Sequence, residues 1–189
     1  MIETTSILEA LGATMPLVFG AESGSKFKAG MRRLAGGVTI VTSRGNDGEL
    51  FGMTATAVCS LSTDPPTLLV CANRGGSFAS HLGVGSLFSV NIVGSMQEDV
   101  ARECAGMAGK RGNERFQGSN WQFDNAGPPL LINALARFDC VATSLIPAST
   151  HLLIIGHVTL VHLPTTSDDS LVYCEGNFVP IARPVDGSK

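Results

Sequence analysis

The residues most suited to chemistry lie in one stretch, GMTATAVCSLSTDPPTLLVCANRGGSFASHL, which covers residues 52–82. Its first half combines small side chains, which let a planar ligand lie against strand backbone, with hydroxyls that suit a ligand's alcohol or phosphate groups. The hydroxyls in question belong to Thr54, Thr56, Ser60 and Ser62. A half-buried edge strand with threonines of ordinary β propensity fits the same letters. The local pattern therefore leaves a ligand cradle and a plain edge strand both open.

The turn NRGGS follows an apolar segment and precedes the short helical pattern SFASHL. Backbone N–H groups at a helix start carry partial positive charge, Ser77 can cap them, and the guanidinium of Arg74 matches phosphate geometry. An ordinary strand-to-helix turn with a solvated Arg74 is the alternative. The chain has no Walker A sequence and no GxGxxG between strand and helix. The turn is a candidate phosphate site of a different kind.

Other catalytic constellations are missing from the sequence. No cysteine pair has zinc spacing, the four histidines are scattered, and no GxSxG elbow occurs. Asp168 and Asp169 lie in a turn-like segment, where solvated carboxylates are the default. We therefore expect no metal site, and we expect no catalysis by a side-chain nucleophile.

Composition excludes further classes. The net charge is −3 with no basic run, so we expect no nucleic-acid partner. No apolar run approaches the roughly 18 residues of a membrane span, and the first residues lack a basic signal-peptide region. The five cysteines are odd in number and widely spaced, as in proteins of a reducing compartment. A cytoplasmic protein with one main domain is expected.

The positioning elements begin with a variable arm at residues 1–25, and the domain itself is predicted to cover 26–189. Phe27, Met31 and Leu34 have helical spacing, and Gly36-Gly37 should stop that helix. Further on, Ser95 and Glu98 resemble a capping box before a stripe of Val100, Cys104 and Met107. The polar segment 110–130 reads as a surface loop anchored by Phe116 and Trp121.

Strand patterns outnumber helical ones. Residues 38–43 are predicted to form a β-branched strand, and the turn residues RGNDGEL should return the chain through a hairpin. The segment LFGMTATAVCSLS is predicted to be the single returning strand, and Pro65-Pro66 should end it. Its alternation would place Met53, Ala55, Ala57 and Cys59 on one face. Further strands are predicted at 67–73, 87–93, 134–146, 150–163 and 170–179. This order favours a mainly β fold, an antiparallel barrel with a few short helices.

Taken together, the segments MRRLAGGVTIVTS, GMTATAVCSLSTDPPTLLVCANRGGS, LFSVNIV, GPPLL and LVYCEGNF resemble the flavin reductase-like family. The resemblance covers about residues 27–178. It implies an FMN-binding split barrel, a homodimer with flavin near the interface, and an NAD(P)H:flavin oxidoreductase that supplies a partner monooxygenase. FMN or FAD would be the flavin, with NADH or NADPH as co-substrate.

The resemblance also implies roles for individual residues. Backbone at Met53, Thr54, Ala55, Thr56 and Ala57 would line the flavin ring, with Ser60 and Ser62 near its ribityl chain. The phosphate would be held at Ala72, Asn73, Arg74 and Ser77. Asn91 would lie near the flavin, His151 near the ring or nicotinamide, and Phe178 over the site. The resemblance identifies no catalytic residue, and His151 is only a candidate for positioning the nicotinamide.

The chain departs from the family pattern near its end, where Glu175 stands in place of a frequent arginine and His157 in place of a frequent acid. The choice between NADH and NADPH and the identity of the oxygenase therefore stay open. Two alternatives share the barrel. One is a flavoenzyme with a dedicated substrate, such as a cobalt-corrin or a pyridoxine phosphate, and the other is a non-catalytic flavin- or haem-binding module.

Overall fold

A computed structural model describes residues 21–124, 126–165 and 168–183 of the chain. The chain divides into two compact units, one ending at Leu34 and the other beginning at Ala35. The first unit contains helix α1 (Ala21–Arg32), on which Phe27 and Met31 are exposed. The helix thus begins before the predicted position and crosses the predicted boundary between residues 25 and 26. Residues 1–20 of the predicted arm lie outside the described residues.

The second unit is built on a seven-stranded antiparallel sheet. Its strands are β2 (Thr39–Arg44), β3 (Leu50–Ala55), β4 (Val58–Thr63), β5 (Pro66–Asn73), β6 (Leu87–Ile92), β9 (Ala136–Ala148) and β10 (His151–His162). Their order across the sheet is β3-β2-β6-β9-β10-β5-β4. The predicted hairpin between β2 and β3 is confirmed by their antiparallel register. The long strands β9 and β10 form a second hairpin at the centre of the sheet.

The segment predicted as one strand, LFGMTATAVCSLS, is two strands, and that prediction was wrong. β3 and β4 lie on opposite edges of the sheet, yet only Thr56 and Ala57 separate them. Two residues span at most about 11 Å of chain between the strand ends, so the sheet must curl until its edges meet there. The N–H of Cys71 donates to the Ala57 carbonyl at this junction (3.0 Å). The result is a mainly β, antiparallel split barrel.

Two smaller sheets complete the strands. β1 (Gly36–Gly37), β11 (Ser170–Cys174) and β12 (Asn177–Ile181) form one, and β7 (Trp121–Gln122) pairs with β8 (Leu130–Leu131) in the other. The last predicted strand is therefore a hairpin. Its turn, Glu175-Gly176, has positive φ at both residues (51° and 84°), which suits a tight two-residue connection.

The helices of this unit are short. α2 (Ser77–His81) follows β5, and α3 (Glu98–Cys104) follows a 3₁₀ turn at Ser95–Gln97. The expected Ser95–Glu98 capping box does not form, because the Ser95 hydroxyl donates to an Asp168 carboxylate oxygen (2.8 Å). Met107 lies beyond α3 and is exposed, unlike the other two residues of its predicted stripe. A second 3₁₀ helix covers Gly112–Phe116.

Two apolar cores hold the barrel together. One lies among the strands of the main sheet and includes Val70, Phe88 and Ile154, and the other lies between the sheet, α3 and β11. A Cβ on Gly156 would stand 2.3 Å from Phe88, so only glycine lets that ring fill the first core. In the second, Phe116 meets Trp121 edge to face at 5.0 Å, as expected for loop anchors.

Among the helices that the structure describes, none has the length and apolar content to cross a membrane.

Candidate active site

An open strand edge forms the floor of the candidate site. β3 is an edge strand whose single neighbour in the sheet is β2. The Gly52 carbonyl nevertheless accepts a hydrogen bond from Nη1 of Arg115 (3.1 Å), so it points away from β2. Because backbone groups of alternate strand residues point the same way, the N–H and C=O of Thr54 face outward too. This edge can bond a planar ligand.

A groove of about 450 Å³ runs along this edge. Its volume falls within the range of about 300–1,000 Å³ that small-molecule sites occupy. It brings together eight of the predicted residues, namely Met53, Thr54, Ala55, Thr56, Ala57, Asn73, Ser77 and His151. Residues as far apart in the chain as Met53 and His151 thus share one surface. Their roles toward a flavin stay predictions.

The Thr54 side chain stabilises one wall of the groove. Its hydroxyl donates to the carbonyl of Ala101 on α3 (2.6 Å) and so ties that helix to β3. The hydroxyl is therefore engaged within the protein, whereas the backbone of Thr54 faces outward. The backbone of Thr54 is therefore the part of this residue that is available to a ligand.

The turn after β5 is shaped by Asn73. Its side-chain oxygen accepts from the N–H of Gly75 (2.8 Å), and its carbonyl accepts from the N–H of Gly76 (3.0 Å). Arg74 turns elsewhere, since its Nη1 donates to the Ser149 carbonyl (3.4 Å) and its side chain is absent from the groove lining. Of the predicted phosphate-holding turn, Asn73 and Ser77 line the groove.

His151 begins β10 directly opposite Asn73 on β5. Its Nδ1 lies 2.9 Å from the hydroxyl of Thr150, a contact that fixes the ring orientation at the groove rim. The ring is exposed and suited to lie against a second ligand that enters from solvent.

Besides Arg74, five predicted residues lie outside the groove lining: Ser60, Ser62, Ala72, Asn91 and Phe178. The two serines line a second concavity of about 490 Å³, on the β4 side of the barrel. Thr56 is the one predicted residue that borders both.

The other three have partners that explain their positions. Ala72 is buried in the first core. The amide of Asn91 donates to the Ile40 carbonyl (2.9 Å) and accepts from the N–H of Leu131 (3.0 Å), which joins β2 to β8 inside the fold. Phe178 meets Tyr173 edge to face and lies beneath the guanidinium of Arg102.

The groove also contains residues that the sequence did not single out. Gly52 permits close approach of Phe116, since a Cβ there would stand 2.7 Å from its ring. Cys104 is buried in the wall, and burial raises the pKa of its thiol to about 12, so it stays protonated. Arg115 enters from the loop between α3 and β7. Nothing in the local sequence signalled that Arg115 faces a groove.

His81 supports the groove from behind. Its ring stacks on Phe51 (3.7 Å between centroids, 12° between planes), and its Nε2 lies 3.0 Å from the Ser43 hydroxyl. Burial lowers its pKa, so the neutral ring is favoured. These contacts hold α2, and with it Ser77, against β3.

Within the described ranges, no group of three or more histidine, cysteine, aspartate or glutamate side chains is placed to bind a metal ion. The groove's resources are backbone donors and acceptors, small side chains, one cation and one imidazole. Such a site can orient a bound redox cofactor and a second substrate, and the chemistry would come from the cofactor.

Comparison with known proteins gives consistent matches over most of the chain. The family model described as "Flavin reductase like domain" matches residues 31–182. "FMN reductase (NADH) RutF" of Pantoea ananatis is 31% identical over 98% of this chain and 99% of its own. The corresponding protein of Stutzerimonas stutzeri is 36% identical over 80% and 85% of the two chains.

Solved structures match as well. The flavin reductase PheA2 in its native state is 27% identical with a TM-score of 0.73, covering 84% of this chain and 98% of that one. BorF, the flavin reductase component of a bacterial two-component tryptophan halogenase, is 29% identical with a TM-score of 0.75, covering 85% and 99%.

Proposed function

The chain belongs to the flavin reductase-like family, and we propose that it is an NADH-dependent flavin reductase that supplies reduced flavin to a partner monooxygenase. The observation that carries this proposal is the groove along β3, which combines an open strand edge with Asn73, Ser77 and His151. FMN and NADH are the proposed substrates, because the RutF relatives are named for both. NADPH and FAD are the alternative substrates that the experiment below compares with them.

The residues present fit a flavin. The outward N–H and C=O of Thr54 provide a donor and an acceptor for the edge of the isoalloxazine ring, which presents both kinds of group. The small side chains of Ala55 and Ala57 permit close approach of a flat ring. When bound, the flavin supplies the hydride acceptor for reduced nicotinamide.

The protein's part is then to bind and orient. Asn73 and Ser77 hold the phosphate end, and His151 at the rim positions the nicotinamide ring over the site. Holding the two stacked reactants together lowers the activation free energy by several kcal/mol, out of the roughly 7–11 kcal/mol available to well-oriented groups. No proton transfer by a side chain is needed at the hydride step.

A homodimer is part of the proposal. The second concavity is lined largely by apolar residues, including Val58, Leu68 and Phe138, and Val161 on the same lining is exposed. Exposed apolar surface of this extent favours burial against a partner. A second copy seated there would contact Thr56, which also borders the groove, so flavin would bind next to the interface. Sedimentation of a monomer at micromolar concentration would refute this part.

We also propose a cytoplasmic location, where NADH is available and where cysteines remain reduced. Among the described residues no cysteine forms a disulfide, and Cys59 lies at an exposed position.

The direct experiment mixes purified protein with FMN or FAD and with NADH or NADPH, and follows the nicotinamide absorbance. We expect fastest oxidation with NADH and FMN. Absence of oxidation with every pair would reject the proposed function. A flavoenzyme with a dedicated substrate would instead retain its flavin through purification and oxidise NADH slowly with free flavin. A binding module would show a chromophore and no oxidation.

A further inference from the structure

Within the described residues, Arg115 lacks the carboxylate partner that two nearby cations, Arg102 and Lys110, each have. Arg102 pairs with Glu98 (2.6 Å), and Lys110 pairs with Glu103. Arg115 donates from Nε to the Lys110 carbonyl (3.2 Å) and from Nη1 to the Gly52 carbonyl (3.1 Å). Across residues 21–124, 126–165 and 168–183 it has no ion pair. The guanidinium therefore keeps its full charge and further N–H donors for another partner.

The position of this charge points to a ligand. Arg115 is half-buried and lines the groove, where it is the one arginine or lysine among the described lining residues. A partly buried charge without a counter-ion is unfavourable, since it loses hydration and gains no pairing in return. An anion that binds in the groove would supply the missing counter-ion.

Phosphate is the anion that the surroundings favour. The planar fork of a guanidinium matches two phosphate oxygens. Ser77 lies one helical turn before His81, whose ring stacks on Phe51, the residue next to Gly52. Ser77 and Arg115 therefore line the same groove, each on an element that contacts β3 at Phe51 or Gly52. The Ser77 hydroxyl has no hydrogen-bond partner within the described part of the chain and can donate to the same group.

We propose that Arg115, together with Ser77, binds a phosphate group of a substrate in the groove. This inference rests on the proposed function and assigns the cationic contact to Arg115, whereas the sequence favoured Arg74. Two substrates carry the required chemistry, namely the phosphate monoester of FMN and the diphosphate of NADH.

The experiment replaces Arg115 by glutamine and, separately, by lysine. The control is Arg111→Gln, which makes the same charge change on the same loop at an exposed side chain outside the groove. Thermal melting of each variant separates misfolding from a binding defect. Arg115→Lys keeps the charge and loses the fork, so its defect should be smaller than that of Arg115→Gln.

Binding of FMN and of riboflavin is measured by quenching of flavin fluorescence, without nicotinamide and therefore independent of turnover. KM values for NADH and for N-benzyl-dihydronicotinamide, which lacks phosphate, are measured in parallel. If the phosphate is that of FMN, Arg115→Gln should weaken FMN binding about tenfold or more, with riboflavin binding unchanged. If it is that of NADH, the KM for NADH should rise by a similar factor while that for the benzyl compound stays constant.

Either result supports the proposal and identifies the source. Equal weakening of FMN and riboflavin would overturn it, because a merely structural arginine affects both alike. The same holds if Arg115→Gln behaves like Arg111→Gln in every measurement. Failure of the wild-type protein to oxidise NADH would reject the proposed function, and the FMN–riboflavin comparison would still decide the role of Arg115.

Discussion

Replacing Thr54 by valine tests whether its hydroxyl serves the fold or the ligand. The hydroxyl donates to the Ala101 carbonyl at 2.6 Å, and that carbonyl also accepts from the N–H of Ala105 (2.9 Å). Valine keeps the branched shape and removes the donor. Because Ala101 retains its second hydrogen bond, the loss should amount to one net hydrogen bond, about 1 kcal/mol of unfolding free energy.

For a chain of this size, that loss corresponds to a decrease of about 2–4 °C in Tm. Thr54→Ser keeps the donor and should lose less. Flavin affinity should change less than about threefold, because the Thr54 backbone, and not its hydroxyl, faces the groove.

Urea unfolding and flavin-fluorescence titration measure the two quantities separately. Thr143→Val is the matched control, since its exposed hydroxyl also donates to a strand carbonyl, away from the groove (3.1 Å). Unchanged stability combined with a tenfold loss of flavin affinity would refute this reasoning, because it would mean that the hydroxyl binds the ligand.

Further predictions concern the walls of the groove. Gly52→Ala would push Phe116 from its place and should lower the unfolding free energy by about 1–3 kcal/mol in urea titration; an unchanged midpoint would contradict the packing. Cys104 should resist iodoacetamide at pH 8 in the folded protein, because its pKa is raised to about 12, whereas the exposed Cys59 should react; mass spectrometry of the alkylated peptides decides. The pKa of His81 is lowered by burial, so the stability from its neutral form is present above the unfolded-state value of 6.5 and is lost as the pH falls through the folded-state pKa. Unfolding midpoints between pH 7.5 and 5 should therefore decline more in the wild type than in His81→Asn, and parallel declines would count against this.

Much of the secondary structure could be predicted from the sequence, since its signals act over a few residues. A β-branched run marked β2, long strand patterns marked β9 and β10, and RGNDGEL marked the first hairpin. Pro66 begins β5, where a missing ladder N–H is tolerated. The break between β3 and β4 carried no such signal, because Thr56 and Ala57 are ordinary strand residues.

The candidate site was predictable in part for a related reason. Eight of its residues lie on three segments: β3 with its extension, the turn after β5, and the start of β10. The order of these segments in the chain resembles that of the family. The side of the barrel that each side chain faces depends on sheet curvature, which no local pattern encodes. Ser60 and Ser62 therefore lie in the second concavity, although they follow the groove residues within a few positions.

By itself, the sequence determined the strand-rich content, the antiparallel hairpins, the flavin reductase-like resemblance and the stretch that would hold a ligand. Only the tertiary structure decided which parts of that stretch share a groove. Thr56 and Ala57 carry the chain from one edge of the curled sheet to the other, so residues before and after them face different concavities. Likewise, Arg115 reaches Gly52 across 63 positions of sequence. Such contacts depend on the closed path of the whole barrel, and a cation in a loop becomes part of a site only when that path brings an open strand edge beside it.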